Sequence, residues 1–148
     1  MSLSDCRRIA LPRINDPRGN LTFLEGGRHV PFEIRRIYYL YDVPAGAARG
    51  GHAHRELEQV FIALGGGFDL LLDDGRGEKA SYRLDSPSDA LYVAPGLWRD
   101  LSNFSPGATC MVLASLPYDE ADYIRDYATF LEAVRTDRMT SARPAPSR

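Results

Sequence analysis

Lysine is nearly missing from this chain: all but one of its 18 basic side chains are arginine, the exception being Lys79. Such a bias reads first as the composition of a GC-rich gene and only second as phosphate recognition. Cysteine is scarce as well. Cys6 and Cys110 are too few for a disulfide framework, so a reduced, cytoplasmic setting is expected. No stretch approaches the roughly 18 apolar residues of a membrane-spanning helix, and no apolar core of a signal peptide opens the chain. A membrane partner is therefore not expected. An excess of one charge is also lacking. The net charge of −2 gives no overall field for nucleic acid. Repeats and internal linkers are absent too.

What is present suits one ordinary globular domain. The 148 residues are 44% hydrophobic and 26% charged, enough to build a core without staples. Short apolar segments are punctuated by turns. "RIALPRINDPRGNLTFLE" reads as two strands around an Asp-Pro-Arg-Gly turn. "EIRRIYYLYDV", "EQVFIAL", "FDLLLDD", "KASYRLDS", "ALYVAP" and "ATCMVLAS" follow, separated by Gly- and Pro-containing turns. Roughly eight or nine short strands at 8–12-residue spacing predict an all-β fold, an antiparallel sandwich or barrel. A helix is predicted only near the end. In "DEADYIRDYATFLEAVRTD", Ile124, Tyr127, Leu131 and Val134 recur with helical period, and Asp119 and Glu120 suit its N-terminus. Residues 1–135 are expected to form the single domain, and the Pro/Ser-rich residues 136–148 a disordered tail.

The chemistry concentrates in "RGGHAHRELEQ", Arg49 to Gln59. Gly46, His52, His54, Glu58 and Gly65 match the spacing G(x)5HxH(x)3–4E(x)6G, the first motif of the cupin superfamily. On a strand His52 and His54 share one face. In metal-binding cupins these two histidines and the glutamate are ligands, and a second motif, PxG(x)2H(x)3N, adds a histidine. Here that motif is "APGLWRDLSN", with Gly96 and Asn103 in register, its proline displaced to Pro95, and Arg99 at the histidine position. A guanidinium stays protonated and cannot ligate a metal. The third histidine, His29, lies in a turn-like stretch and reads as a surface residue. Three readings of the histidine pair stay open on the residues alone: metal ligands with Glu58, a hydrogen-bonded structural pair, or acid/base groups.

More of the chain narrows this. "RGGHAH" followed by "LEQ", "SPSDALYVAPGLW" and "DYIRDY" resemble the TDP-4-oxo-6-deoxy-glucose 3,4-ketoisomerases, the WxcM-like sugar isomerases, over nearly everything from Ile9 to Val134. The resemblance implies a cupin-type antiparallel barrel or jelly roll with a short C-terminal helix, and a cytoplasmic homodimer in deoxysugar and surface-polysaccharide biosynthesis. The implied partner is a TDP-linked sugar rather than nucleic acid or membrane, with no metal and no cofactor. The reaction it implies moves a ketone from C4 to C3 by proton transfer through an enediol.

Carried over residue by residue, the resemblance makes His54 the base, His52 its partner, and Tyr38 a hydrogen-bond donor to the developing enediol. Arg49 is placed for the sugar or diphosphate and Arg125 for the nucleotide end. Arg18 and Arg99 fall at positions near the sugar that vary in the family, with an influence on which face of C4 is reprotonated. Trp98 packs by the sugar or thymine, or fills the barrel. From the residues alone, Tyr38 reads equally as strand packing, Arg49 as a turn charge and Arg125 as a helix surface charge. The alternatives are a metal-dependent cupin using His52, His54 and Glu58, or a non-catalytic sugar-nucleotide-binding cupin.

Overall fold

A computed structural model of the chain describes residues 2–136. Its strands are β1 (Arg7–Ala10), β2 (Arg13–Ile14), β3 (Leu21–Thr22), β4 (Arg36–Leu40), β5 (Arg49–His54) and β6 (Gln59–Gly65). They continue with β7 (Phe68–Asp73), β8 (Lys79–Leu84), β9 (Asp89–Val93), β10 (Trp98–Ser102), β11 (Thr109–Ala114) and β12 (Tyr123–Ile124). One helix, α1 (Tyr127–Arg135), follows.

Two five-stranded antiparallel sheets hold the chain, in the orders β1-β9-β6-β11-β4 and β12-β5-β10-β7-β8. The short pair β2-β3 stands apart as a hairpin around the expected Asp-Pro-Arg-Gly turn. This is the jelly-roll form of the expected all-β architecture. The two sheets face each other and are not hydrogen-bonded into a closed barrel. Phe61, Phe68, Leu70, Leu72, Leu84, Leu91, Leu97 and Val112 fill the space between them and are all but inaccessible. Each such side chain contributes roughly 1.5–3 kcal/mol of burial, which is what allows the same interior to hold polar groups.

Strand alternation decides what faces inward. On β4, Arg36, Tyr38 and Leu40 point to the interior cavity while Ile37 and Tyr39 stay exposed. On β6, Gln59 and Phe61 share the inward face. On β10, Arg99 and Leu101 face the cavity, so Trp98 and Asp100 take the opposite side. That last strand is one the turn signals did not reveal, because its polar "WRDLS" lacks a β-rich composition.

The helix begins later than its periodicity suggests. Asp126 is its N-cap and accepts from Thr129 N at 2.9 Å. Tyr123 and Ile124 are instead paired to His54 and Ala53 as β12. Asp119 caps a short 3-10 turn over Glu120–Asp122, and Arg125 sits before the helix rather than on it. Phe130, Ala133 and Val134 make the buried face, with Leu131 left partly exposed. Of the tail expected at 136–148, all but Thr136 lies outside the described residues.

A bulge in β5 sets the site. Arg99 pairs with His52, but the next pair is Asp100 with Gly50, so Gly51 is skipped. Gly50 has φ +88° and a Cβ there would lie 3.0 Å from the Arg99 carbonyl oxygen. The glycines of "RGGHAH" are thus required by the kink that brings Arg99 across from His52. Gly50→Ala is expected to cost about 1–3 kcal/mol of stability, read as a lowered urea midpoint with an unchanged slope.

Candidate active site

The interior cavity, about 420 Å³, opens at one end of the two sheets. Its lining includes Tyr38, His52 and Tyr123 with four arginines, Arg36, Arg49, Arg99 and Arg125. For a chain of net charge −2 this is a strongly cationic pocket.

The histidines form a directed chain. His54 is 1% exposed, and its Nδ1 lies 3.1 Å from Asp122 Oδ2. Asp122 also accepts backbone N–H groups of Glu56 and Leu57. Despite burial, the hydrogen bonds from His54 and from these two amides hold its carboxyl below its ordinary value, so Asp122 is ionised. His54 Nδ1–H therefore donates to it, leaving His54 Nε2 as an acceptor. His52 Nε2 is 3.1 Å from that nitrogen and supplies the proton between them. His52 Nδ1 is buried and makes no hydrogen bond, and the Gly50 backbone lies near enough to favour its protonation. Tyr123 packs on both rings, at 5.0 Å from His52 and 4.3 Å from His54.

Burial is the main reason both histidines are poor bases in the free protein. Desolvation, then the Arg99 charge, lower His52 to about 3. Desolvation lowers His54 to about 4 in spite of its bond to Asp122. Both rings are neutral at neutral pH.

Arg99 occupies the floor. It is 1% exposed, and among the described residues no carboxylate pairs with it. Its Nη1 donates to Gln59 Oε1 and its Nη2 to the Leu97 carbonyl at 2.9 Å, while Nε has no partner. Burial lowers it to about 10, still cationic at neutral pH. Gln59 in turn donates from Nε2 to Tyr38 Oη at 2.9 Å. Burial pushes the Tyr38 phenol up to about 12, so it remains a protonated donor. At the mouth, Arg125 lies 4.2 Å over the Tyr123 ring and forks onto Glu120 at 2.6 and 3.0 Å. Arg36 lies over Tyr38 and Tyr118.

The structure brings together His52, His54, Tyr38, Arg49, Arg99 and Arg125, and separates three other residues from them. Trp98 does not line the cavity; its ring packs on Tyr127 and Phe130 under α1, and strand alternation forbids it the face that Arg99 takes. Arg18 sits on the β2-β3 hairpin, its side chain 90% exposed and paired with Asp16. Glu58 faces away from the histidines and accepts from the Tyr92 hydroxyl at 2.6 Å. Its neighbour Gln59 takes the inward place, at the four-residue spacing the motif also permits. A ligand set of His52, His54 and Glu58 does not fit, and no other cluster suited to a metal occurs among the described residues. His29 lies in its turn as expected, accepting from Glu25 N at 2.9 Å.

Within the pair, His52 lines the cavity and His54 lies behind it, buried against Asp122. Arg36, Gln59, Asp122 and Tyr123 escaped the sequence reading. Gln59 was masked by the acceptable glutamate beside it, and Asp122 and Tyr123 by an apparent helix.

Because unfolded histidine titrates near 6.5 and both native rings titrate near 3 to 4, the unfolded chain binds more protons between those values. Stability therefore falls as pH drops from about 6.5 toward 4, and the lowered Asp122 extends the loss below that. The thermal midpoint, followed across this window, is expected to fall steeply in the wild type and less steeply in His52→Asn.

Comparison with known proteins places this geometry in a family. The FdtA description, WxcM-like C-terminal, matches residues 4–135. A TDP-4-oxo-6-deoxy-α-D-glucose 3,4-oxoisomerase of Aneurinibacillus thermoaerophilus is 44% identical over 122 residues, covering 82% of this chain and 87% of that one. The crystal structure of a Helicobacter canadensis 3,4-ketoisomerase is 45% identical, with TM-score 0.85, over 88% of this chain and 98% of its own. A His-to-Asn variant of QdtA, the 3,4-ketoisomerase of Thermoanaerobacterium thermosaccharolyticum, solved with TDP-4-keto-6-deoxyglucose, is 36% identical with TM-score 0.88, over 91% and 97%. With residues 4–135 matched by the family description and 44–45% identity to two such ketoisomerases over most of its length, the chain belongs to the FdtA family of WxcM-like sugar 3,4-ketoisomerases.

Proposed function

We propose that this chain is an isomerase that moves the ketone of a TDP-linked 4-oxo-6-deoxyhexose from C4 to C3. The observation that carries the mechanism is a neutral His52 in the wall of a cavity lined by four arginines, its Nε2 linked through His54 to Asp122. The C3 hydrogen is acidic because the C4 carbonyl lies beside it. His52 Nδ1 takes that proton, and the charge it gains is shared through His54 with Asp122 along the hydrogen-bonded chain. Negative charge develops on O4, where Tyr38 donates a proton and the Arg99 cation stabilises the change. His52 then returns its proton to C4 while the O3 hydroxyl gives its own to the Tyr38 phenolate, so the ketone stands at C3, both side chains are restored, and no atom is gained or lost.

The low basicity of the free pair suits this. The positive cavity attracts the diphosphate, with Arg49 and Arg125 at the mouth as its donors. Once bound, its negative charge offsets the arginines and raises His52 toward the working range. The metal-cupin reading loses its third ligand in Glu58. A purely binding role would leave the His52–His54–Asp122 chain without a use.

Incubated in D2O with EDTA, the protein is expected to exchange the C3 proton of TDP-4-oxo-6-deoxy-glucose and form a 3-oxo sugar, both visible by NMR. His52→Asn should lower the rate by at least about 100-fold with nucleotide binding retained. An unchanged spectrum with the wild type, or wild-type rate in His52→Asn, would overturn the assignment. No helix among the described residues is long and apolar enough to cross a membrane, and a cytoplasmic place is part of this proposal.

The working unit in this reading is a homodimer. β4 is a sheet edge whose outer face shows Ile37 and Tyr39, continued by Tyr41. Ile14, Leu21 and Phe23 are exposed on and beside the hairpin. A second copy covers these, and a hairpin reaching across carries Arg18 toward the partner's cavity. Light scattering should return about twice the 16.5 kDa chain mass; a monomer at micromolar concentration would end this part.

A further inference from the structure

Gln59 is the fully buried polar side chain that the reaction above leaves unused. Its amide joins two groups of the cavity wall. Oε1 accepts from Arg99 Nη1, and Nε2 donates to Tyr38 Oη at 2.9 Å. The orientation of the amide is not free. A guanidinium has donors only, so the end facing Arg99 must be the oxygen and the end facing Tyr38 must be the NH2. Because Gln59 donates to the Tyr38 oxygen, the phenol's own proton is turned elsewhere, and the cavity is the side it lines.

A carboxylate of the same shape would reverse both effects. It would neutralise Arg99, and it would accept the Tyr38 proton that the substrate oxygen needs. The spacing of the histidine motif allows a glutamate at this position as readily as at Glu58. The inward face of β6 nevertheless carries the neutral amide, and the outward face carries the acid.

Resting on the ketoisomerase reading, we infer that Gln59 is a positioning residue of the isomerase: its neutral amide keeps the Arg99 charge uncompensated at the cavity floor and turns the Tyr38 hydroxyl proton toward the substrate. It touches no reacting atom itself. The same uncompensated charge bears on the histidines. The groups facing the pair are Arg99 from β10, Arg36 and Tyr38 from β4, Asp122 and Tyr123 at β12, and Arg125 beyond it with Glu120 behind. Of the cations among them, Arg99 alone is fully buried, so its neutralisation is felt most.

The test compares Gln59→Glu with Gln59→Met, measuring kcat, KM and the pH profile of kcat/KM. Gln59→Glu is expected to lower kcat by about 10- to 100-fold with KM within about 3-fold. It should also move the acid limb of the profile upward by about one pH unit. Gln59→Met, neutral and of similar length, is expected to lower kcat without moving the limb. The imidazole C–H titration of folded Gln59→Glu, followed by NMR, reads the same upward movement without turnover. A limb and a titration that stay in place overturn the inference, and so does a drop in thermal midpoint with wild-type kcat, the signature of mere packing. Failure of Gln59→Glu to fold also counts against it, since the new carboxylate is placed on a buried guanidinium. Wild-type turnover in the same buffers separates the two claims. Its absence sinks the ketoisomerase reading while the titration still decides on Gln59.

Discussion

One buried, uncompensated guanidinium governs the rest of this structure. Taking Arg99 out of water costs several kcal/mol, and a carboxylate partner, the usual remedy, is missing among the described residues. The charge is held by neutral acceptors instead, an amide oxygen and a backbone carbonyl. The apolar layer between the sheets offsets the expense. Much else follows from that single charge. It adds to the burial that depresses the nearby histidines, and it meets a neutral amide at Gln59. The bulge at Gly50 and Gly51 exists at the point where Arg99 is brought against His52. Strain in the backbone and strain in the electrostatics are thus concentrated on the same few residues, as expected where a fold is shaped by chemistry more than by packing.

The charge of the whole chain conceals this. A net charge of −2 excludes broad attraction to polyanions, yet four guanidiniums converge on one opening. Nothing in composition announces such convergence, because the arginines come from β4, β5, β10 and the segment after β12. Low-dielectric walls around them focus the field on whatever enters. The arginine bias first read as a property of the gene is, at these four positions, a property of the pocket.

Most of the fold was legible because turns and alternation are local. Asp-Pro-Arg-Gly, the three glycines at Gly65–Gly67 and the prolines after β4, β8 and β9 each ended a strand where the structure ends one. The histidine motif located the cavity for the same reason. What stayed hidden depended on partners distant in sequence. Tyr123 and Ile124 have helical spacing to Tyr127, and only the edge of β5 tells them to be a strand. Asp122 looks like a helix-start acid until His54, 68 positions away, is placed beside it. Strand alternation was available for Trp98 and Glu58, and applied strictly it places both on the outer faces that they occupy. The different depths of His52 and His54 were not available, since both share one strand face and only the cavity wall separates them.

The pair of Arg125 and Glu120 at the mouth has a consequence for release. Any anion that engages Arg125 meets a carboxylate already forked onto its Nε and Nη2, and must share the guanidinium with it or displace it. Affinity for the anion is then a difference between two guanidinium–oxyanion pairs rather than the full strength of one. The exchange leaves no bare cation behind at any stage.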